Sequence, residues 1–261
     1  MTFRHKFAYS FFNFAAYKEF LVQGLGKSIL YIFLVTLIFS TVSNISTINI
    51  FNSEIVTVEH NLMYNAPQFE LNKGLLSVDS DEPIYYKHDG EFIVVDTSGK
   101  TNSSVINAYS DGIYIDSNGF IIRQNYSTIQ NIKFTDVNEL IITNESAKNI
   151  VAILKIVFPL VLLIFKPIVS FFENLISVFL ILGPLTLFIS SFMGVKLNYS
   201  RACTLSFYAI TLPLLLESLL SISGIVSPEF FAIFYIVSLI YCGLAIKEIK
   251  DIDKSNLNLM K

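Results

Sequence analysis

The chain has no tryptophan, two cysteines and three histidines among 261 residues, and charged side chains make up 15% of it. Each shortage closes off a class of chemistry. Cys203 and Cys242 both lie in apolar runs, so neither a disulfide framework nor a thiolate metal site can be built from them. His5, His60 and His88 are scattered, and no His-Glu-x-x-His is present to support a zinc hydrolase. There is no glycine-rich phosphate loop, no nucleotide fingerprint and no Gly-x-Ser-x-Gly elbow. The formal net charge is −3, without the basic stripe that nucleic acid demands. A soluble domain would carry about 25% charged residues.

Apolar residues fill the gap, at 53% of the chain with a mean hydropathy of +0.58. They gather in runs at 28–49, 149–172, 174–194, 203–223 and 229–246. Each is close to the roughly 20 residues that carry a helix across a bilayer core. Between the first two runs lies a polar segment, 51–148. It holds fourteen acidic and six basic residues, −8 net, which leaves +5 for the rest of a chain whose total is −3. The scarcity of tryptophan beside abundant Ile, Asn, Phe and Lys suits an AT-rich bacterial genome. The first apolar run starts near Ser28 with no Ala-x-Ala site after it, which reads as an uncleaved anchor.

Residues 1–27 mix Arg4, Lys6, Lys18 and Lys27 with aromatic side chains, among them Phe3, Phe7, Phe11, Phe12, Phe14, Tyr17 and Phe20. That combination suits a helix lying among lipid headgroups; the alternative is a short leader packed on the bundle. Basic residues ahead of the first span place the N-terminus inside. The outer half of that span, STVSNISTIN, is rich in hydroxyls, which serve helix contacts or, less commonly, a polar path.

The polar segment reads as β structure, with strands at 54–59, 68–71, 75–78, 84–86, 92–95, 105–108, 113–115, 120–123 and 129–134. Turn signals separate them: Asn72-Lys73-Gly74, Asp89-Gly90, Ser98-Gly99, Asp111-Gly112 and Asn118-Gly119. An Asp-hydroxyl pair follows an apolar strand three times, at Asp79-Ser80, Asp96-Thr97 and Asp116-Ser117. In two cases a glycine stands three residues after the Asp. The stretch EFIVVDTSGKT therefore comes close to an aspartic-protease turn. Its glycine is one place late, and the chemistry needs two Asp sharing a proton. Asp116, 20 residues away, cannot supply a second lobe without dimerisation. Asp96 is better read as fixing a turn through its side chain. The acidic run Asp79, Ser80, Asp81, Glu82 fits no calcium loop and reads as a solvated turn.

Topology contains a conflict. Five crossings from an internal N-terminus put Lys196, Arg201 and the basic tail outside, against the positive-inside tendency. Four would satisfy it if one run between 149 and 194 were re-entrant. Both runs are long and apolar, so five are expected, with a turn near 171–174 and Lys166 close by. Pro159, Pro184 and Pro213 fall inside runs and Pro228 opens the last. Lys155 and Glu217 are charges inside apolar runs and so functional candidates. Lys155 can snorkel outward. Glu217, in TLPLLLESLL, can pair with Lys155 or a partner subunit, lie near the interface, or line a path.

Two stretches carry a resemblance: FNFAAYKEFLVQGLGKSILYIFLVTLI, 12–38, and KLNYSRACTLSFYAITLPLLLESLL, 196–220. With the long loop holding FIVVDTSG between them, the chain resembles the bacterial membrane family named domain of unknown function 1189. Some members of that family are labelled maltodextrose utilisation protein, and it is distantly similar to Yip-type membrane proteins. The resemblance implies an integral membrane protein with a cytoplasmic leader and one large outer loop, and no catalytic residues.

The expectation is an α-helical membrane bundle of about five transmembrane helices, several kinked by proline, with an inserted β-rich extracytoplasmic domain. Its parts are a cytoplasmic or interfacial amphipathic leader (1–27), a first transmembrane helix (28–50), an acidic β-rich domain outside (51–148), four further transmembrane helices (149–248) and a polar tail (249–261). The expected setting is the bacterial plasma membrane. No catalytic, cofactor or metal residue is expected, and no enzymatic activity. The function expected is that of a scaffold, sensor or partner-binding protein, with lipid and another membrane protein or transporter as partners. The alternative is an accessory or component of a transport system, carbohydrate uptake among the candidates, with Glu217 and the hydroxyl-rich face of the first span lining a path.

Overall fold

The computed structural model describes residues 1–88, 91–224 and 229–259. The expected Asp89-Gly90 turn and Pro228 lie outside them. The chain divides into two compact units, residues 1–51 with 157–261, and residues 52–156.

The first unit is helical. Two short helices, α1 (Phe3–Phe12) and α2 (Ala16–Gln23), precede α3 (Leu25–Tyr64), whose last residues belong to the second unit. Later come α4 (Asn144–Ser177), α5 (Gly183–Phe192), α6 (Tyr199–Ala209), α7 (Thr211–Ile222) and α8 (Phe230–Leu259). The leader packs on the bundle: Tyr17 and Phe20 are fully buried, and Phe20 stacks on Tyr208 at 4.0 Å between ring centres. Tyr31 ties three segments together, its hydroxyl lying 3.1 Å from Ser10 Oγ and 2.9 Å from Thr211 Oγ1.

The two apolar runs expected as separate helices are one. From α4 the chain passes through a π-helical segment, Val178–Leu182, straight into α5, so 144–192 is a single 49-residue helical stretch. Four helical stretches among the described residues are long and apolar enough to cross a membrane: Leu25–Tyr64, Asn144–Phe192, Tyr199–Ile222 and Phe230–Ile252. The turn expected at 171–174 does not exist. Phe171, Glu173 and Asn174 are helical, and α3 and α4 pack antiparallel through Phe33–Phe171, Thr36–Asn174, Asn44–Leu162 and Phe51–Phe158.

The π segment has a local cause. The Gly183 N–H donates to Val178 O, five residues back, and the next residue, Pro184, has no N–H. The Phe179 carbonyl is thereby left without a backbone donor, and the Tyr199 hydroxyl donates to it instead. A Cβ on Gly183 would lie 2.7 Å from Cys203 Sγ and 2.9 Å from Val178 O, so glycine permits the approach of α6. Residues Ala202 to Ala209 of α6 are no more than 1% exposed. Two of its hydroxyls are accommodated locally: Thr204 Oγ1 donates to Ser200 O, and Ser206 Oγ donates to Ala202 O and lies 3.0 Å from Thr186 Oγ1, whereas the buried Tyr208 hydroxyl has no partner among the described residues. Asn198 caps the helix by accepting from the Arg201 N–H.

The second unit holds two sheets. Strands β1 (Phe69–Asn72), β2 (Leu75–Val78) and β8 (Ile142–Thr143) form one, in the order β2-β1-β8. The other runs β3 (Ile84–His88), β4 (Glu91–Val95), β5 (Gly112–Ile115), β6 (Gly119–Gln124), β7 (Ser127–Lys133). All pairings are antiparallel except β4 with β5, which run parallel, Val95 opposite Ile115. Val94, Ile106 and Tyr114 make its small core.

Two expected strands are helical. Residues 54–59 continue α3, because a helix already nucleated propagates through β-branched residues at small cost; Ile55 is buried and Glu59 pairs with Lys155. Residues 105–108 fall in a 3₁₀ turn, Ser103–Ala108, begun where the Asn102 side chain accepts from the Ser104 N–H and burying Ile106. α4 starts on a reciprocal cap: the Thr143 N–H donates to Ser146 Oγ and the Ser146 N–H to Thr143 Oγ1.

Gly183→Ala should destabilise the helical unit by about 1–3 kcal/mol, the usual cost of overpacking. The check is the thermal midpoint of the detergent-solubilised protein, which should fall. An unchanged midpoint would show that the close approach of α5 and α6 is dispensable.

Candidate functional site: a polar cavity among three helices

Within the first unit, α3, α4 and α7 enclose a partly open cavity of about 110 Å³. Each helix contributes a polar stripe at helical spacing: Thr36, Ser40 and Ser43 from α3, Lys166, Ser170, Glu173 and Asn174 from α4, Glu217 and Ser221 from α7. Phe39 and Leu214 complete the lining. The structure thus brings Glu217 to the hydroxyl-rich first span. Lys155, the partner expected for it, pairs with Glu59 within the second unit at 2.7 Å. The charges that interact with Glu217 are Glu173 and Lys166.

The hydroxyls are arranged as acceptors. Ser43 Oγ donates to Phe39 O and Ser221 Oγ to Ser43 O, so their lone pairs remain for the cavity. Asn174 is buried and donates through Nδ2 to Thr36 Oγ1 at 3.1 Å. Ser40 is 7% exposed, and its Oγ has no hydrogen-bond partner among the described residues. A buried hydroxyl without a partner costs about 1–3 kcal/mol, and this one lines a cavity.

Lys166, Glu173, Ser170 and Asn174 as a group were not legible as a site, because residues 171–174 read as a turn. On a continuous helix, positions 166, 170, 173 and 174 fall on one face. The i, i+4, i+7, i+8 pattern was the signal that could have found them.

The candidates of the second unit are structural. Asp96, 2% exposed, accepts from both Ser98 donors and the Gly99 N–H at Oδ1, and from both Thr101 donors at Oδ2. Burial raises its pKa, but the hydrogen bonds from Ser98 and Thr101 outweigh this and hold it down at about 2. Asp116 Oδ1 likewise accepts from the N–H groups of Asn118 and Gly119. The parallel pairing of β4 with β5 sets these two turns side by side, which spacing along the chain did not suggest. Each carboxylate is nonetheless bound to its own turn. Glu82 of the acidic run pairs with Lys100. His5 stacks with Tyr9, the His60 ring lies tilted against Tyr64, and the His88 side chain lies outside what is described. No cluster of three or more potential metal ligands occurs among the described residues.

A family model described as a protein of unknown function, DUF1189, matches residues 4–246. No curated protein and no solved structure matches the chain.

Asp96→Asn should cost the second unit about 2 kcal/mol, the worth of its depressed pKa. Because the folded-state pKa lies below the ordinary value of 3.8, this stabilisation is complete above about pH 4 and disappears as pH falls toward 2. Hydrogen exchange on the full chain reads both effects at the amides of Ser98, Gly99 and Thr101. Unchanged exchange in the variant would refute the structural role.

Proposed function

The chain belongs to the DUF1189 family, whose function is unknown, and we propose that it is a bacterial plasma-membrane component of a transport system whose helical unit offers a polar ligand a site inside the bilayer. The observation that carries this reading is the cavity at Glu217, where charges and hydroxyls from three helices converge at the depth of Thr36 to Ser43 on the first candidate span. Polar groups at such a depth are expensive unless they serve a ligand, a path or one another. The volume fits a few waters at about 30 Å³ each and falls short of the roughly 300–1,000 Å³ of pockets for larger ligands. A small polar ligand suits a cavity of this volume.

Four crossings accompany this reading. They return Lys196, Arg201 and the basic end of α8 to the side of the N-terminus, as the positive-inside tendency asks. Two contacts support an even number: the Tyr241 hydroxyl donates to Phe11 O, and Lys250 Nζ to Met193 O. They gather the leader, the turn after α5 and the end of α8 at one end of the bundle. Residues 52–156 then lie outside the cell. The family's unknown function leaves a scaffold or sensor role in place, but the cavity favours transport.

Topology is checked by labelling single cysteines in intact cells with an impermeant thiol reagent. Asn138→Cys should react, and Lys196→Cys and Lys247→Cys should react only after permeabilisation. Labelling of Lys247→Cys in intact cells would overturn four crossings.

The cavity is checked in membrane vesicles with a small water-soluble thiol reagent. Ser40→Cys and Ser221→Cys should react and Leu37→Cys should not; the native cysteines are buried, which keeps the background low. If Ser40→Cys reacts no faster than Leu37→Cys, the polar path is refuted.

A further inference from the structure

We infer that the cavity is a binding site for one monovalent cation, held between Glu217, Glu173 and the unpartnered hydroxyl of Ser40. The inference rests on the reading of the cavity as a ligand site and names its ligand. Three lines of chemistry converge on it.

The first is charge. The charged groups facing Glu217 are Glu173 and Lys166, both from α4; the lining residues of α3 are all uncharged. Two carboxylates and one ammonium leave a single negative charge in excess. No ion pair within 4.0 Å joins Lys166 to either carboxylate among the described residues. One bound positive charge removes the excess.

The second is the donor set. Ser43 and Ser221 spend their protons on backbone carbonyls, and Asn174 spends one of its two amide N–H groups on Thr36. The two serines are left with oxygen lone pairs, the ligands that hard cations prefer. An anion would find Lys166 and a few neutral donors, set against two carboxylates. Ser40 points the same way independently. Its Oγ is buried on the cavity wall without a partner among the described residues, so its lone pairs are free for a cation.

The third is size. About 110 Å³ has room for a sodium or potassium ion together with waters of its shell. A proton shared with Glu217 would meet the same demand for one positive charge, so the test has an arm for each source.

The full-length protein is reconstituted in nanodiscs and its thermal midpoint followed at constant ionic strength in sodium, potassium or N-methylglucamine chloride. Sodium or potassium should raise the midpoint saturably over N-methylglucamine. Glu217→Gln should abolish the rise. Ser40→Ala, a smaller change that removes one ligand and leaves the charges, should weaken the apparent affinity severalfold. Lys166→Gln removes the competing internal cation and should strengthen it by about tenfold or more. In parallel, infrared difference spectra across a pH titration look for the carbonyl stretch of a protonated carboxyl. Such a band at neutral pH, absent in Glu217→Gln and unaccompanied by a metal-ion effect, identifies the cation as a proton and supports the inference. The inference falls if the midpoint is indifferent to the cation and the wild-type and Glu217→Gln spectra coincide at neutral pH. Should Ser40→Cys meanwhile react with the thiol reagent, the cavity survives as a polar path and the cation alone is lost.

Discussion

The helical unit depends on burying α6 from every side. A helix inside a bilayer gains little from leaving lipid for protein, so contact quality and hydrogen bonding decide whether it stays there. α6 carries Thr204, Ser206 and Tyr208 along with its apolar residues, and all three are enclosed. The neighbours are shaped to allow this. Gly183 removes a side chain where Cys203 arrives, and Thr186 meets Ser206. Phe20 and Tyr31 cover Tyr208, which gives the leader helices a structural task. The Tyr31 hydroxyl then connects the leader to the start of α7. α7 runs on from α6 after one residue, Ile210, and the same anchoring positions Glu217.

The position and composition of the apolar runs were legible in the sequence, and so were the polar insert and Glu217 as the residue of interest. What failed was the reading of FFEN, 171–174, as a turn. A glutamate and an asparagine between apolar stretches are ambiguous in one dimension. They end a helix when they face water and continue it when they face other polar groups. Here Asn174 faces Thr36 and Glu173 lies on the cavity wall. The same misreading divided one helical stretch into two expected helices and hid Lys166 and Glu173 from the site. Partners far apart in sequence, 138 residues for Thr36 and Asn174, carry no local signal at all.

In the second unit, most strands were legible from their turns, and the errors came where tertiary context outweighed propensity. The faint repeat of Asp-hydroxyl turns proved spatial as well as sequential. β4 and β5 lie parallel with a register offset of 20 residues, the separation of Asp96 and Asp116. Two strands of like pattern end at the same edge of the sheet in like turns. The protease-like lettering around Asp96 arises from a shared need: a strand that ends in a tight turn is well served by a carboxylate accepting several N–H groups, whether or not chemistry follows. At Asp96 every hydrogen bond points back into its own loop.

The π segment between α4 and α5 adds a fifth residue to one turn. In a regular helix each residue advances the side chains by about 100°, so that insertion resets the facing of everything downstream. Upstream, Lys166, Ser170 and Asn174 look toward α3 and α7; downstream, Gly183, Thr186 and Ser190 form a separate buried face, with Gly183 and Thr186 against α6. One continuous rod therefore serves two neighbourhoods whose angular requirements differ, and Pro184 with the Tyr199 hydroxyl keeps the joint in place. Loss of a single residue from 178–182 would leave every side chain of α5 intact and turn each one away from its partner. The joint works as a phase coupling, and through it the cavity wall and the cradle of α6 can change in sequence independently of each other.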